Sequence, residues 1–234
     1  MRSVYSWSLL IIQLLLLHFR GVLVNRNYDT ESGAVFSCGE NRLGQLGLST
    51  LQDHTKVERV LSLAKETIKE VACGADFTIV GLTIIAYKGQ PIAFGSQEHG
   101  QLGNGSDGQY IKSAGQLVTA PQQYPLMVKG FAGKHIVSVA CGANHTIALD
   151  KDGYVYSWGF GGYGRLGHGE QKDLHVPQTV AQFASLNELT HAQVIACGST
   201  CSMALDKQQQ LWMWGKWKNT GDGSSGQPWM VGVD

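Results

Sequence analysis

Residues 155–169 read VYSWGFGGYGRLGHG, and the phrase returns as VFSCGENRLGQLGL (35–48), IAFGSQEHGQLGNG (92–105) and, decayed, LWMWGKWKNTGDG (211–223). Its leading glycines, Gly39, Gly95, Gly159 and Gly215, stand 56, 64 and 56 residues apart. A second phrase alternates with the first: IKEVACGADFTIV (68–80), IVSVACGANHTIAL (136–149) and AQVIACGSTCSMAL (192–205). A third element, proline followed three residues later by valine, appears as Pro125 and Val128, Pro177 and Val180, and Pro228 and Val231, with Val57 and Val60 filling the slot in the first copy. Self-similarity at a fixed period marks a repeat architecture, each copy being one small supersecondary unit.

In the best-kept copy, HVPQTV, IVSVA, HTIAL and YVYSW alternate apolar and polar positions, and turn chemistry such as DKDG (150–153) bounds them. Four short strands repeated at this period are the signature of β-propeller blades, so the fold class is all-β, with antiparallel four-stranded blades. The triplets Ala72-Cys73-Gly74, Ala140-Cys141-Gly142 and Ala196-Cys197-Gly198 fit strands that converge on a central axis and leave no room for large side chains. In the phrase G-x-L-G, the glycine pairs Gly44 and Gly47, Gly100 and Gly103, and Gly164 and Gly167 permit positive φ on either side of a leucine that can plug the layer between blades.

Composition agrees. The chain carries 30 glycines in 234 residues, nearly double the usual share of about 7%. With 43% hydrophobic residues it is too apolar to be disordered, and it lacks the glycine period of collagen. Its 18 basic and 18 acidic side chains cancel, so no whole-domain basic field gathers nucleic acid or an anionic membrane.

Three of the five cysteines, Cys73, Cys141 and Cys197, occupy one repeated position, which makes them a packing feature expected as small buried thiols. An odd count at these spacings is no disulfide framework and suits a reducing compartment. Cys197 and Cys201, read as residues four apart along one strand, would stand about 13 Å apart, too far to chelate one ion. Residues 1–27 hold the apolar run LLIIQLLLL at 9–17, which is signal-like but short for a membrane span and is followed by no good small-x-small cleavage site. The alternative is a segment foreign to the domain, as from a mispredicted first exon; the repeats are expected over 33–234.

These phrases resemble the regulator of chromosome condensation repeat family, whose domains are seven-bladed propellers. The resemblance covers nearly everything from Gly33 to Asp234, and SWGFGGYGRLGHGEQKD (157–173) followed by VPQTV, with GQLGNGSDGQYIKSAGQL (100–117), carries it most specifically. It implies a nuclear and cytoplasmic regulator of mitosis, chromosome segregation and cell migration, linked to small GTPases of the Rac, Ral and Ran type, to chromatin and to microtubules. The sequence departs from the family in three ways. About three and a half blades are present, which leaves two open edges. A basic N-terminal tail is replaced by LLIIQLLLL. GLTIIAY (81–87) lengthens one hairpin. Together these point to an incomplete or partly misassembled chain.

Enzymatic chemistry is not expected. Gly159 to Gly164 spell G-x-G-x-x-G, but a dinucleotide site needs that turn to open a helix in a βαβ unit, and RLGHGEQKD follows instead. No cofactor, metal, small-molecule substrate or membrane insertion is expected. His145 reads as a structural residue of its strand, and the Trp212, Trp214, Lys216, Trp217, Lys218 run as blade core with solvated lysines. An exchange factor needs no acid, base or nucleophile, because it works by binding the nucleotide-free GTPase more tightly than the loaded one. Its contacts are expected in loops on one propeller face. The candidates are the insertion 104–116, with Asp107, Tyr110 and Lys112, and the tip bearing Tyr163, Arg165, Lys172 and Asp173. An adaptor propeller without exchange activity is the main alternative. A secreted binding propeller is the lesser one, for which Asn104-Gly105-Ser106 would be the usable glycosylation sequon.

Overall fold

The computed structural model of the protein describes residues 21–25, 34–66, 68–82, 90–216 and 226–232. The first repeat is a three-stranded sheet of β1 (Gly21–Asn25), β2 (Ala34–Gly39) and β3 (His54–Arg59) in that order. The second contains β4 (Ile68–Cys73), β5 (Phe77–Leu82) and β6 (Ile92–Gly95), then a separate hairpin of β7 (Gln109–Lys112) and β8 (Gln116–Thr119), then β9 (Gln122–Met127); its sheet order is β4-β5-β6-β9. The third runs β10 (Ile136–Cys141), β11 (His145–Asp150), β12 (Val155–Gly159), β13 (Leu174–Thr179), matching the four strands read from its sequence. The fourth runs β14 (Ala192–Cys197), β15 (Cys201–Asp206), β16 (Leu211–Gly215), β17 (Trp229–Met230). Every pairing is antiparallel, as in an incomplete propeller. The first sheet begins earlier than residue 33, since β1 pairs with β2 from Gly21 opposite Cys38 to Asn25 opposite Ala34. The apolar run at 9–17 lies outside the described residues, as does most of GLTIIAY; among the described residues no helix is long and apolar enough to cross a membrane.

The hydrophobic cores lie between blades rather than within them. One joins Phe77, Ile79, Ala93 and Leu102 of the second repeat to Ile136, Val139, Tyr156 and Trp158 of the third, and another joins Ile147, Leu149 and Val180 of the third to Ile195, Ala204 and Trp214 of the fourth. The leucines of the G-x-L-G phrase, Leu46, Leu102 and Leu166, are all buried, as plugs should be. All six glycines around them have positive φ, from +65° at Gly103 to +82° at Gly167. At Gly100 the demand is double: φ is +74°, and a Cβ there would stand 2.6 Å from the His175 Cα of the next blade's outer strand. Glycine alone satisfies both the left-handed backbone and the close approach.

Hydroxyls tie each blade to the one before it. Thr78, Thr146 and Ser202 donate to the carbonyls of Gln45, Gln101 and Arg165 at 2.9, 3.2 and 2.9 Å. These carbonyls belong to the x of G-x-L-G, so the phrase is a repeated socket for the following blade. At the inner ends, Ala75 N–H donates to Ala143 O and Ala143 N–H to Ser199 O, each at 3.0 Å. The Pro-Val element closes each sheet: the N–H groups of Val60, Val128, Val180 and Val231 donate to Val35, Pro91, Val155 and Leu211 carbonyls. Pro125 and Pro177 are tolerated because they sit in outer edge strands.

Two cysteine readings change. Cys73 is exposed and Cys141 and Cys197 are only partly buried, because the innermost strand has no further strand of its sheet inside it. Burial nevertheless pushes the Cys141 thiol well up and Cys197 to about 12. Cys197 and Cys201 lie on neighbouring strands across a turn, not along one strand. Among the described residues, no group of three or more His, Cys, Asp or Glu is placed to hold a metal. Trp214 is fully buried and Trp212 partly so, in keeping with blade core; Trp217 and Lys218 lie outside the described residues.

Candidate functional site

Strands alternate in direction, so the end of each first strand and the end of each third strand emerge on the same face. Backbone bonds stitch the two together: Ser96 N–H to Asp76 O, Phe160 N–H to Asn144 O, and Lys216 N–H to Thr200 O. This face carries the G-x-L-G loops and every candidate partner-binding residue. Asp107, Tyr110 and Lys112 come from the loop of the second blade, and Tyr163, Arg165, Lys172 and Asp173 from that of the third.

The second loop departs from expectation by being largely strand. β7 and β8 pair Gln109 with Thr119, Tyr110 with Val118, Ile111 with Leu117 and Lys112 with Gln116. The three-residue connection Ser113 to Gly115 turns the chain with Ala114 and Gly115 in the left-handed region, at φ +68° and +75°. The base is held by Gln97, which is buried: its Nε2 donates to Ala120 O at 2.8 Å, and its Oε1 accepts from Asn104 Nδ2 at 2.9 Å. The Asn104 amide nitrogen, where a glycan would attach, is thus already engaged. Successive strand side chains point to opposite faces, so Ile111 and Leu117 share one face and Tyr110 and Val118 the other. Ile111 is 73% exposed, Leu117 59% and Tyr110 49%. Ile111 and Leu117 were missed in the sequence; the signal was the pair of apolar doublets, Tyr110-Ile111 and Leu117-Val118, placed symmetrically about the short Ser-Ala-Gly segment. Asp107 stays local, its Oδ1 accepting the Gln109 N–H at 3.0 Å, and Lys112 is exposed.

The loop of the third blade is built as a ladder of rings and cations. His99 of the second blade stacks against Phe160 at 4.6 Å, and the Arg165 guanidinium lies 4.7 Å from the Phe160 centroid and 5.5 Å from that of Tyr163. Lys216 Nζ reaches the other ring, 4.8 Å from the Tyr163 centroid. Tyr163 is exposed at the tip, and its own φ of +63° holds it there. Arg165 is not an exposed anchor: it is 2% exposed, with Nε donating to Gly162 O at 2.8 Å. Burial lowers its pKa, with Tyr163 and Asp173 acting the other way. The neighbouring blade's packing on the G-x-L-G socket encloses this side chain.

Asp173 is likewise committed within the chain. Its Oδ1 accepts the Gly161 N–H at 2.9 Å, and its Oδ2 pairs with His99 Nδ1 at 3.1 Å across the blade boundary. Asp53 does the first of these jobs in the first blade, accepting the Asn41 N–H at 2.9 Å. Each aspartate lies nine residues after its leading G-x-L-G glycine, Gly44 or Gly164, a spacing visible in the sequence. Lys172 remains exposed. The hairpin and the Tyr163 ladder rise from different blades, as two displays on one face.

Other titratable groups serve the core. His145 is fully buried, its Nε2 2.9 Å from Ser202 Oγ. Ser202 already donates to Arg165 O, so His145 Nε2 carries the proton toward Ser202. Burial, then the nearby Arg165 charge, lowers its pKa to about 3. The G-x-G-x-x-G string leads into a single 3₁₀ turn, Gly162–Gly164, not a helix.

Antiparallel four-stranded sheets packed face to face, each joined to the next by the same repeated socket, define a β-propeller of the repeat type, with its differing loops on one face. The chain belongs to the regulator of chromosome condensation (RCC1) repeat family: the repeat matches residues 32–80, 88–149 and 152–205. It is 41% identical to the protein RCC2 homolog of Danio rerio over 198 residues, covering 80% of this chain and 39% of that one. In fold it is similar to human WBSCR16, with a TM-score of 0.69 at 23% identity over 87% of this chain and 50% of that one. It is also similar to Prp20p of Saccharomyces cerevisiae, with a TM-score of 0.61 at 21% identity over 86% of this chain and 47% of that one. The chain therefore spans about two fifths of the length of the curated relative and about half of each solved structure. It is an RCC1-family interaction protein.

Proposed function

We propose that this face binds a small GTPase of the Rac, Ral or Ran type, and that the chain acts as an exchange factor or scaffold in mitosis, chromosome segregation and cell migration, in the nucleus and cytoplasm. The observation that carries the reading is the hairpin: a stiff, backbone-paired element that holds Tyr110, Ile111 and Leu117 in solvent beside Lys112. Exposed apolar and aromatic side chains on a rigid element suit a protein interface, because little conformational entropy is lost on docking. Prp20p, which shares the fold, is described for its binding to Gsp1p and histones. Exchange requires only preferential binding of the empty GTPase, and linkage then loosens the nucleotide by the same factor. Contacts to chromatin or microtubules belong to the same proposal for the longer protein.

The test is nucleotide release from purified Rac, Ral and Ran GTPases loaded with a fluorescent guanine nucleotide, alongside direct binding to the empty forms. Faster release with one of them supports exchange. Binding without faster release assigns a non-exchanging adaptor. No binding to any of the three overturns the GTPase reading.

A further inference from the structure

On the opposite face, the connection from β13 to β14 carries a feature the partner-binding face does not explain. Residues 184–189 (ASLNEL) are all exposed, with Leu186 fully in solvent and Leu189 at 56%. The segment is held at its base: His191, itself buried, has Nε2 2.9 Å from Ser185 O, and Asn187 Oδ1 accepts the Leu189 N–H at 3.1 Å. Ser185 Oγ makes one local bond, accepting the Asn187 N–H at 3.1 Å, and its own hydroxyl hydrogen has no acceptor among the contacts of this segment. Glu188 follows three residues later, and no lysine or arginine occurs between Lys172 and Lys207.

We propose that Ser185 is a phosphorylation site for an acidophilic serine/threonine kinase. Such kinases recognise a carboxylate three residues after the acceptor, and charge pattern is how kinases choose among accessible hydroxyls. Thr67, with Glu70, has the same spacing but lies outside the described residues; among the described residues the geometry rejects the others: Ser37, with Glu40, is 1% exposed, and its hydroxyl is spent on Leu46 O. Thr50, with Asp53, is engaged by Asn41 and His54, and Thr55, with Glu58, lies within the paired strand β3. Ser185 alone among these combines the acid, a backbone outside the paired sheets and exposure. The lack of nearby basic residues disfavours kinases that need arginine before the acceptor.

In the reaction Ser185 Oγ attacks the γ-phosphorus of ATP; the Oγ–P bond forms, the bond to the ADP oxygen breaks, and the hydroxyl proton passes to the kinase's base. The product adds a charge of about −1.5 to −2 beside Glu188. Ser185 sits at the edge of a cleft of about 500 Å³ lined by Gln182, Thr190, His168 and Gln227, in which no lysine or arginine takes part. With no lysine or arginine lining this cleft, the phosphate is left facing solvent, available to a phosphate-reading partner.

The experiment incubates the full chain with purified acidophilic kinase CK2 and ATP, then maps phosphate by peptide mass spectrometry. Phosphate on Ser185, lost in Ser185→Ala and reduced at least tenfold in initial rate in Glu188→Gln, is the expected result. Circular dichroism of the variants checks that both still fold. Phosphate confined to other residues, unchanged labelling in Glu188→Gln, or none while the kinase labels a control peptide would overturn the assignment.

Discussion

The loops of the second and third blades start from the same G-x-L-G socket and end in the same kind of outer strand, yet they are built to opposite ends. The third loop turns two of its candidate residues inward: Arg165 is enclosed, and Asp173 caps Gly161 and reaches His99, while the candidates Tyr163 and Lys172 face out. The second loop gives its holding role to the buried Gln97 and projects a hairpin whose apolar residues face solvent. A repeat can therefore keep the inter-blade socket constant and vary what stands above it. Interaction surface is added where the loop leaves the socket, not within it.

Two glycines of one blade give the sharpest contrast. Gly100 and Gly115 have nearly the same φ, +74° and +75°, but an added Cβ at Gly100 meets His175 Cα at 2.6 Å, and one at Gly115 meets nothing within 4 Å. Gly100→Ala is expected to destabilise by about 3 kcal/mol, from left-handed strain plus backbone displacement, whereas Gly115→Ala costs about 1 kcal/mol from strain alone. Urea unfolding of the two variants measures the gap; equal losses would mean the socket tolerates movement between blades.

The blades also differ at the start of their second strands, where the second has Phe77 and the third has His145, both buried. The His145 pKa is lowered to about 3, so the unfolded state binds the proton first as pH falls. Its contribution is complete above the unfolded value of about 6.5 and is lost as pH drops toward the folded value, amounting to about 2 kcal/mol by pH 5. His168, also lowered by burial, acts in the same sense. His145→Phe, which installs the residue of the second blade, should flatten stability against pH between 7 and 5. An unchanged slope would place the proton uptake elsewhere.

Much of this was legible because propellers repeat. The sheet pairings, the positive-φ glycines and the buried Leu46, Leu102 and Leu166 all follow from phrases that recur, since one packing problem solved at three sockets leaves the same residues at each. The sequence spoke less clearly where a residue's surroundings come from the next blade. Arg165 looks like a surface anchor by type, and only the neighbouring packing encloses it. The hairpin was hidden for a different reason: its turn has Ala114 in the left-handed region rather than the Asn-Gly pair that advertises such turns.

The role of Asp173 tests whether the third loop is a structural clasp or a contact surface. Its carboxylate caps Gly161 and links to His99, at about one-third exposure. Asp173→Asn keeps an oxygen for the Gly161 N–H but removes the charge facing His99, and at this exposure the loss is about 0.5 kcal/mol. Asp173→Ala removes both and should cost about 1–2 kcal/mol. A measurable loss of partner binding in Asp173→Asn without a change in stability would return this residue to the contact surface.

The smallest effect on folding should come from the hairpin, which is what the proposed docking surface requires. Ile111 and Leu117 form a cross-strand pair with little of either side chain covered. Replacing both with serine removes apolar area that folding leaves mostly in solvent, so stability should change by no more than about 0.5 kcal/mol. If the pair docks against a GTPase, the same double variant should weaken binding at least tenfold, roughly 1.4 kcal/mol. Isothermal titration of the empty GTPase with both proteins, beside urea unfolding of each, separates the two readouts. Unchanged affinity would move the interface to Tyr163 and Lys172. A large loss of stability would mean that the hairpin is covered by the chain itself, and the contrast between the two loops would fail at its outermost point.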